Sequence, residues 1–326
     1  MKHWTNKHIN WPRVVGRCFC RHGIAAIIIL ALGSMMPRNA SAQMKPGQVD
    51  IFMGVDFNYR DMYMNGRVFD FLVNLTPSVK WRLPYRWEVA GQVFIPVINQ
   101  YGHDYKYIRP NIVSVSKQFA FLNRLRLKLS GGLFSFYRYG FDAKAMLIAN
   151  RWLAFTGQVG FTGYCSMVDG WHASQLDRLT FLAGPDFWIA PWNSEIWVRG
   201  GRFTYGDYGV MAEGFRHFRH VSVGLFAGYG NLTKENAGFK IVVMLPPYKR
   251  TRRTVNFRPA SNFKVTYRND ANMYGLREYA TDPEQNERTS WFDRDMLPWG
   301  TDTMEPDFVY REKRQDAVKE AADSLK

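Results

Sequence analysis

The histidines are the residues of this sequence that first suggest chemistry. Beyond residue 42 there are four of them, His103, His172, His217 and His220. His217 and His220 flank a short turn, and two histidines without carboxylate or thiolate ligands beside them make a weak metal site. We therefore interpret this pair as a basic turn in contact with water, and the sequence predicts no metal site.

A serine nucleophile would need a histidine base within hydrogen-bonding reach. His172 and Ser174, in the segment 165–177, are the candidate pair, but their spacing in a loop is common by chance. The sequence contains no phosphate-binding loop, dinucleotide fingerprint or paired-cysteine metal motif. Acidic pairs such as Asp293 and Asp295 lie in a polar tail. The sequence therefore predicts that the protein is not an enzyme and has no catalytic residues and no cofactor.

Residues 1–42 are predicted to form a signal peptide that is cleaved from the mature protein. A basic stretch without acidic residues comes first, an apolar core follows at 24–36, and the small residues of a cleavage site stand at 40–42. The apolar core is shorter than the roughly 20 residues that a membrane-spanning helix needs. We therefore expect an exported protein rather than one anchored by a helix.

Removal of the signal peptide changes both the cysteine content and the charge. Only Cys165 remains, so no intramolecular disulfide is expected. The mature chain keeps 37 basic and 28 acidic residues, a net charge of +9 compared with +15 for the full chain. Because an exported chain seldom meets nucleic acid, this charge favours anionic lipid or acidic polysaccharide as the partner.

Hydrophobic and polar residues alternate with a period of two along most of the mature sequence. In 67–81, for example, Phe69 and Phe71 alternate with Asp70. Such alternation predicts strands with one apolar face, and no mature stretch is long and apolar enough for a membrane-spanning helix. Twelve strands are predicted, at 49–60, 67–81, 86–97, 109–120, 124–133, 139–149, 153–164, 178–189, 195–204, 208–216, 221–229 and 238–245.

These strands predict an all-β fold, an antiparallel transmembrane β-barrel of the outer-membrane type with about 12 strands. Roughly ten residues let a tilted strand cross a membrane, whereas the strands of soluble sheets usually have five or six. Short and long connections alternate, as periplasmic turns and outer loops do. Trp81, Trp152 and Trp192 stand near the short turns, where an interfacial aromatic girdle would lie. A soluble β-sandwich is the alternative, because its strands also present one apolar face.

The polar face of the strands is predicted to line the lumen. This polar set comprises Asp56, Asp70, Lys80, Glu88, Gln92, Arg124, Arg126, Lys128, Asp142, Lys144, Glu195, Arg199, Glu213 and Lys240. The candidates for contact with a polysaccharide are Arg86, Glu88, Arg124, Arg126, Lys128, Asp142, Lys144, Arg199, Glu213 and Lys240. A barrel of this size with charges of both signs inside is expected to be crossed by ion pairs or plugged rather than wide open. The alternative is that these charges are only hydrated by water along the inner wall.

The composition changes at Pro246-Pro247, where the predicted barrel of residues 43–245 gives way to a tail of residues 246–326. The tail contains a basic linker at 249–253, short strands at 254–257 and 263–267, a polar stretch, and a pattern typical of a C-terminal helix at about 307–324. A twelfth strand ends on the side where the first begins, which would be the periplasm. The tail is therefore expected to be periplasmic or to fold into the lumen as a plug.

Several motifs resemble those of a known family. The run LPYRWEVAGQ at 83–92, the run IRPNI at 108–112 and the glycine-rich and aromatic hairpin VRGGRFTYGDYG at 198–209 are similar to strands of YjbH-type barrels. The strand that ends at Leu245 also fits. The likeness occurs in patches over residues 65–268 and matches the carboxy-terminal half of longer members. These are outer-membrane proteins linked to exopolysaccharide and capsule biosynthesis.

The resemblance implies a non-enzymatic barrel that assists the secretion or assembly of an exopolysaccharide or capsule. The expected location is the outer membrane of a Gram-negative bacterium. The expected partners are outer-membrane lipid, an acidic polysaccharide and periplasmic export or assembly proteins, and no nucleic acid. Two alternatives are a passive, porin-like channel for small solutes and a structural or adhesion barrel that acts through its outer loops.

Overall fold

The computed structural model describes most of the chain between residues 47 and 292. The described ranges are 47–61, 69–121, 124–150, 152–167, 170–218, 221–232, 234–244, 254–260, 262–268, 278–285 and 291–292. The predicted signal peptide at 1–42, the basic linker at 249–253 and the predicted helix at 307–324 lie outside these ranges. Among the described residues, no helix has the length and apolar character needed to cross a membrane.

The described residues form β-strands joined by turns, loops and three single turns of 3₁₀ helix. The strands are β1 (Val49–Asp61), β2 (Phe69–Leu83), β3 (Trp87–Asn99), β4 (Arg109–Phe121), β5 (Leu125–Phe134), β6 (Arg138–Ile148), β7 (Leu153–Ser166), β8 (His172–Ala173), β9 (Arg178–Ile189), β10 (Ser194–Arg202), β11 (Tyr208–His217), β12 (Val221–Gly230), β13 (Lys234–Met244), β14 (Val255–Pro259) and β15 (Asn262–Arg268). All twelve predicted strands are therefore present, with boundaries that shift by a few residues.

Thirteen of these strands form a closed barrel. From β2 to β13 each strand pairs antiparallel with its neighbour in the ring, and the two-residue β8 pairs only with the end of β7. The ring closes where β15 lies between β13 and β1. The prediction of an all-β barrel of about 12 strands is confirmed.

The closure of the ring differs from the expected antiparallel pairing. Both β14 and β15 run parallel to β1, with Val49 opposite Val255 and Asp56 opposite Lys264. With thirteen up-and-down strands the first and the last point the same way, so their pairing must be parallel. The barrel thus extends beyond residue 245, and residues that were assigned to the tail close it.

The two ends of the barrel differ in their connections. At the turn end, the strands are joined through residues 84–86, 122–124, 149–152, 190–193 and 218–220. At the loop end, they are joined through 62–68, 100–108, 135–137, 167–177, 203–207 and 231–233. The last strand, β15, ends beside Arg60 and therefore at the loop end. The chain leaves the ring there, and not at the turn end as a twelve-stranded barrel would require.

The barrel wall is apolar outside and polar inside. In β2, Phe71, Leu75 and Val79 are exposed, whereas Asn74 and Lys80 on the other face of the strand are buried. Exposed apolar residues continue around the ring, among them Val113, Phe141, Phe155, Phe181, Val198, Val210 and Leu225. Large exposed aromatic side chains lie near both ends, with Tyr85, Trp152 and Trp192 at the turn end and Tyr107, Trp171 and Tyr229 at the loop end.

Gly140 occupies a position in β6 that a larger residue cannot enter without moving the backbone. Its φ angle is 142°, and a Cβ atom there would lie 2.2 Å from the carbonyl oxygen of Phe161 on β7. We expect Gly140→Ala to lower the free energy of unfolding by about 3 kcal/mol, because backbone strain adds to the displacement of β7. Urea unfolding in detergent would measure this loss.

The matched control is Gly157→Ala in the adjoining strand. A Cβ atom at Gly157 would meet the nearest atom, the carbonyl oxygen of Leu182, at 3.7 Å, which is ordinary van der Waals contact. This variant should stay within about 1 kcal/mol of the parent protein. Equal losses for the two variants would contradict the close approach of β6 and β7 at Gly140.

Candidate functional site in the barrel lumen

The structure places most of the predicted lumen residues on the inner wall. Buried there are Asp70, Lys80, Glu88, Gln92, Lys128, Asp142, Lys144, Glu195, Arg199 and Glu213. Partly buried are Asp56, Arg126 and Lys240. The inner wall therefore carries charges of both signs from strands on all sides of the ring.

Two of the candidate residues lie outside the inner wall. Arg124 precedes β5 and is exposed at the turn end, which corrects the prediction that it lines the lumen. Arg86 lies in the 3₁₀ turn 84–86 with a positive φ angle of 61°. The reason is that alternation assigns a face only while the backbone is extended, and both residues belong to connections between strands.

Part of the tail lies inside the barrel. We call residues 278–285 the plug segment. Its backbone is fixed to β4 and to the β5–β6 turn: Ala280 exchanges hydrogen bonds with Ser135, and the hydroxyl of Ser114 donates to the carbonyl of Thr281 at 2.8 Å. Of the two expected places for the tail, the lumen is therefore correct for this segment.

Asp282 of the plug segment joins two lysines of the wall. Its carboxylate lies 2.8 Å from Nζ of Lys80 on β2 and 3.5 Å from Nζ of Lys128 on β5. Glu88 on β3 contacts the same two lysines, at 3.3 and 3.6 Å. All four side chains are nearly excluded from water. The plug segment therefore supplies one of two carboxylates in a buried ionic cluster.

The lysines determine the protonation of Asp282. Burial alone would raise the pKa of its carboxyl group, but the charges of Lys80 and Lys128 outweigh burial and hold that pKa well below its ordinary value of 3.8. The carboxylate therefore contributes fully to docking at any pH above about 4, and this contribution is lost only as the pH falls through the lower pKa of the docked state.

The lowered pKa of Asp282 gives a testable pH dependence of docking. We expect the plug segment to stay docked from about pH 7 to about pH 4 and to leave its site only in stronger acid. Single-channel conductance of the purified protein, recorded in steps of pH, would follow its release. Opening between about pH 7 and pH 5 would contradict the lowered pKa of Asp282.

A second cluster holds the neighbouring residues of the plug segment. Nζ of Lys144 on β6 donates to Oγ1 of Thr281 at 2.8 Å and to Oε1 of Gln285 at 2.7 Å. The hydroxyl of Tyr279 donates to Oδ1 of Asp142 at 2.7 Å. Burial and the Asp142 carboxylate raise the pKa of Tyr279 well above its ordinary value of 10.0, so the phenol remains a donor.

The third anchor of the plug segment is an arginine of β10. Nη2 of Arg199 on β10 lies 2.7 Å from Oε1 and 2.9 Å from Oε2 of Glu278. The guanidinium also lies 3.7 Å from the ring centroid of Trp197. Its Nε and Nη1 atoms are buried and have no hydrogen-bond partner among the described residues. Arg199 therefore keeps donors that the plug segment does not use.

The plug segment balances the charge of the wall around it. Among the described residues of these three clusters, the wall contributes the cations Lys80, Lys128, Lys144 and Arg199 but only two carboxylates, Glu88 and Asp142. Glu278 and Asp282 of the plug segment pair with these cations directly, and Glu284 of the same segment adds a third carboxylate that interacts electrostatically with Lys80. Because an unpaired buried charge is costly, the wall at this level requires an anionic occupant.

A cavity of about 270 Å³ remains beside the plug segment. Its lining includes Tyr101, Tyr105, Glu213, Lys240 and Lys264 from the wall, in addition to residues of the plug segment. This volume is just below the roughly 300–1,000 Å³ of ordinary small-molecule sites. The cavity can hold several water molecules in a polar and aromatic surrounding.

The histidines differ from their predicted setting. His217 is buried at the end of β11, where Nδ1 lies 2.8 Å from Oγ of Ser222 and Nε2 lies 3.6 Å from a carboxylate oxygen of Glu195. The prediction of a hydrated turn is therefore wrong for His217, while His220 is outside the described residues. Ser222 is also buried and is not among the residues that line the cavity beside the plug segment.

The other candidate pair is not arranged for catalysis. The hydroxyl of Ser174 accepts from the backbone N–H of Tyr164 and donates to the carbonyl of Gln175, so the backbone and not His172 orients it. Across the described residues, no three His, Cys, Asp or Glu side chains are grouped to bind a metal ion. What the arrangement of the lumen can do is bind anionic groups at four fixed cations.

Sequence reasoning left open whether the tail enters the lumen, and it did not identify residues 278–285 as the segment that does. The signal was present in the tail as bulky aromatic residues within a polar stretch, namely Tyr279, Trp291 and Phe292, all of which are buried. Trp291 and Phe292 pack with Met146 and Trp188 near the turn end. No family model matches this sequence, and neither does any curated protein.

Proposed function

We propose that this chain is a non-enzymatic β-barrel of the outer membrane that assists the export or assembly of a surface polysaccharide, and that its own tail closes the lumen at rest. The membrane location is supported by the apolar outer wall with aromatic side chains near both ends. The link to a polysaccharide is supported by the resemblance of the motifs at 83–92, 108–112 and 198–209 to YjbH-type barrels.

The observation that carries this proposal is the ionic docking of the plug segment. A passive channel needs a lumen that stays open, whereas here Asp282 and Glu278 are bound to three cations of the wall. Such contacts can hold the barrel closed until a suitable anionic occupant arrives. This arrangement favours a role in handling an acidic polymer over steady diffusion of small solutes.

The test is a clean deletion of the gene, complemented with the intact gene. Surface and secreted polysaccharides would be measured separately in the deletion strain, the complemented strain and the parent. We expect a specific loss of one polymer that the intact gene restores. Unchanged polysaccharide in all three strains would contradict the export role and would leave the barrel fold standing.

Purified protein in planar bilayers separates this proposal from the porin-like alternative. We expect the parent protein to remain closed with only brief openings, because its plug segment is docked. A steady, wide conductance would favour a passive channel. An adhesion barrel would instead keep its polysaccharide output after deletion, and would lose surface binding when the loop 167–177 is shortened.

A further inference from the structure

We propose that Lys80, Lys128, Lys144 and Arg199 form a binding site for the carboxylate groups of an acidic glycan, and that the plug segment occupies this site as an internal substitute for the glycan. The inference rests on the proposed function and names the chemical class of its substrate. It also assigns the plug segment a role as the competitor that the glycan displaces.

The site is built from side chains of four strands that all reach the plug segment in the lumen. Lys80 comes from β2, Lys128 from β5, Lys144 from β6 and Arg199 from β10. Each side chain is buried, and each reaches a carboxylate, hydroxyl or amide oxygen of the plug segment. The wall therefore holds the four cations in positions from which they can bind an occupant of the lumen.

The occupant resembles an acidic polymer in the way it presents charge. Glu278 and Asp282 are carried by one irregular strip of chain and bind separate cations. Carboxylated sugars along a polysaccharide present their charges in the same manner, one after another on a single flexible chain. The hydroxyls of Tyr279 and Thr281 add hydrogen bonds of the kind that sugar hydroxyls make.

Arg199 offers more than the plug segment uses. Within the part of the chain that the structure describes, its buried Nε and Nη1 atoms have no hydrogen-bond partner, so it can bind a second carboxylate or a hydroxyl oxygen. Trp197 lies directly against the guanidinium and lines the cavity beside the plug segment. An aromatic ring face beside a forked cation suits a sugar ring that carries a carboxylate.

The same contacts require the displacing ligand to be anionic. A neutral glycan in the place of the plug segment would leave four buried cations with two carboxylates, Glu88 and Asp142. A ligand shifts an equilibrium only by its differential affinity for the two states, so a neutral occupant has little power to displace the plug segment. A carboxylated polymer restores the pairing at several cations at once.

The experiment uses the full-length protein with Ala280→Cys in a background in which Cys18, Cys20 and Cys165 are all replaced by Ser, and follows labelling by a water-soluble maleimide. An oligogalacturonate is the probe, and a neutral maltooligosaccharide of the same length and sodium acetate at equal carboxylate concentration are compared with it. The protein is first equilibrated with the oligosaccharide. We expect the oligogalacturonate to raise the rate of maleimide labelling by about tenfold or more. The neutral oligosaccharide should leave the rate unchanged, and acetate should have a much smaller effect.

A response to the neutral oligosaccharide, an equal response to acetate, or no response to the oligogalacturonate would each overturn the proposal. Adding Arg199→Gln should remove most of the response, whereas Arg124→Gln, the same change at an exposed arginine, should preserve it. Loss of a polymer in the deletion strain without any labelling response would contradict the binding site but leave the proposed function supported. A labelling response, together with unchanged polysaccharide in the deletion strain, would support the binding site but contradict the proposed function.

Discussion

The Asp282→Asn variant is expected to conduct ions through a lumen that is closed in the parent protein. The substitution removes the negative charge of the carboxylate whose Oδ2 atom lies 2.8 Å from Nζ of Lys80 and 3.5 Å from Nζ of Lys128. Removing one partner from a buried ion pair costs about 3 to 5 kcal/mol, because the remaining charge stays buried without compensation. Glu88 contacts both lysines, so we expect the lower end of this range.

The barrel and the plug segment will not share this cost equally. The strands of the wall are held by continuous ladders of backbone hydrogen bonds. The plug segment is irregular and makes one backbone–backbone hydrogen bond to the wall among the described residues, from Ser135 to Ala280, in addition to its side-chain contacts. Release of the plug segment lets water reach the lysines, so the loss appears as opening rather than unfolding. A cost of about 3 kcal/mol corresponds to a rise of about 100-fold in the ratio of open to closed protein.

Single-channel recordings in planar bilayers would measure the open fraction of Asp282→Asn and the parent protein. The matched control is Glu235→Gln, which removes an exposed carboxylate near the start of β13 and should conduct like the parent. If Asp282→Asn is as closed as this control, the ionic contacts of Asp282 do not hold the plug segment in place.

Leu225→Arg should prevent stable insertion of the barrel into lipid. Leu225 lies in the middle of β12, points outwards and is 67% exposed, so the proposed membrane location puts it against hydrocarbon. An arginine on the lipid face of a barrel near the middle of the bilayer costs about 2 to 4 kcal/mol. Folding into lipid vesicles, followed by urea titration, would measure this loss.

Leu232→Arg is the control for the same chemical change. Leu232 is 65% exposed, nearly as much as Leu225, but it lies in the turn between β12 and β13 at the loop end. A surface substitution there should stay within about 0.5 kcal/mol of the parent. Equal tolerance of both arginines would mean that Leu225 faces water, and it would remove the main support for the membrane location.

The strands and their faces could be predicted because both depend on local patterns. The alternation of Phe71, Leu75 and Val79 with Asn74 and Lys80 gives β2 its position and its inner face without any knowledge of its neighbours. The same reasoning found β14 and β15 as short strands. It could not find their partner, because a parallel pairing with β1 depends on residues at the other end of the sequence.

The positions of the plug segment and of His217 could not be predicted from local sequence patterns. Residues 278–285 have no regular period, and their position is fixed by contacts such as that between Lys80 and Asp282, which lie 202 positions apart. His217 was interpreted as part of a turn, but β11 continues through it and turns its ring towards Ser222 and Glu195. An extra residue of strand thus changes a hydrated side chain into a buried one.

The parallel seam also sets the order in which this molecule can be assembled. Hairpins between successive strands form from nearby residues, but the seam joins Asp50 to Asn256, which lie 206 positions apart, so it can form only after nearly all of the wall has been made. The plug segment is connected to the free end of the last strand, at the mouth where that strand finishes. The plug segment can enter an open wall from the side. Once the ring has closed, it would have to enter through the loop end of the barrel. We therefore expect the strands to close around residues 278–285, so that this segment acts as a template for the size of the closed barrel.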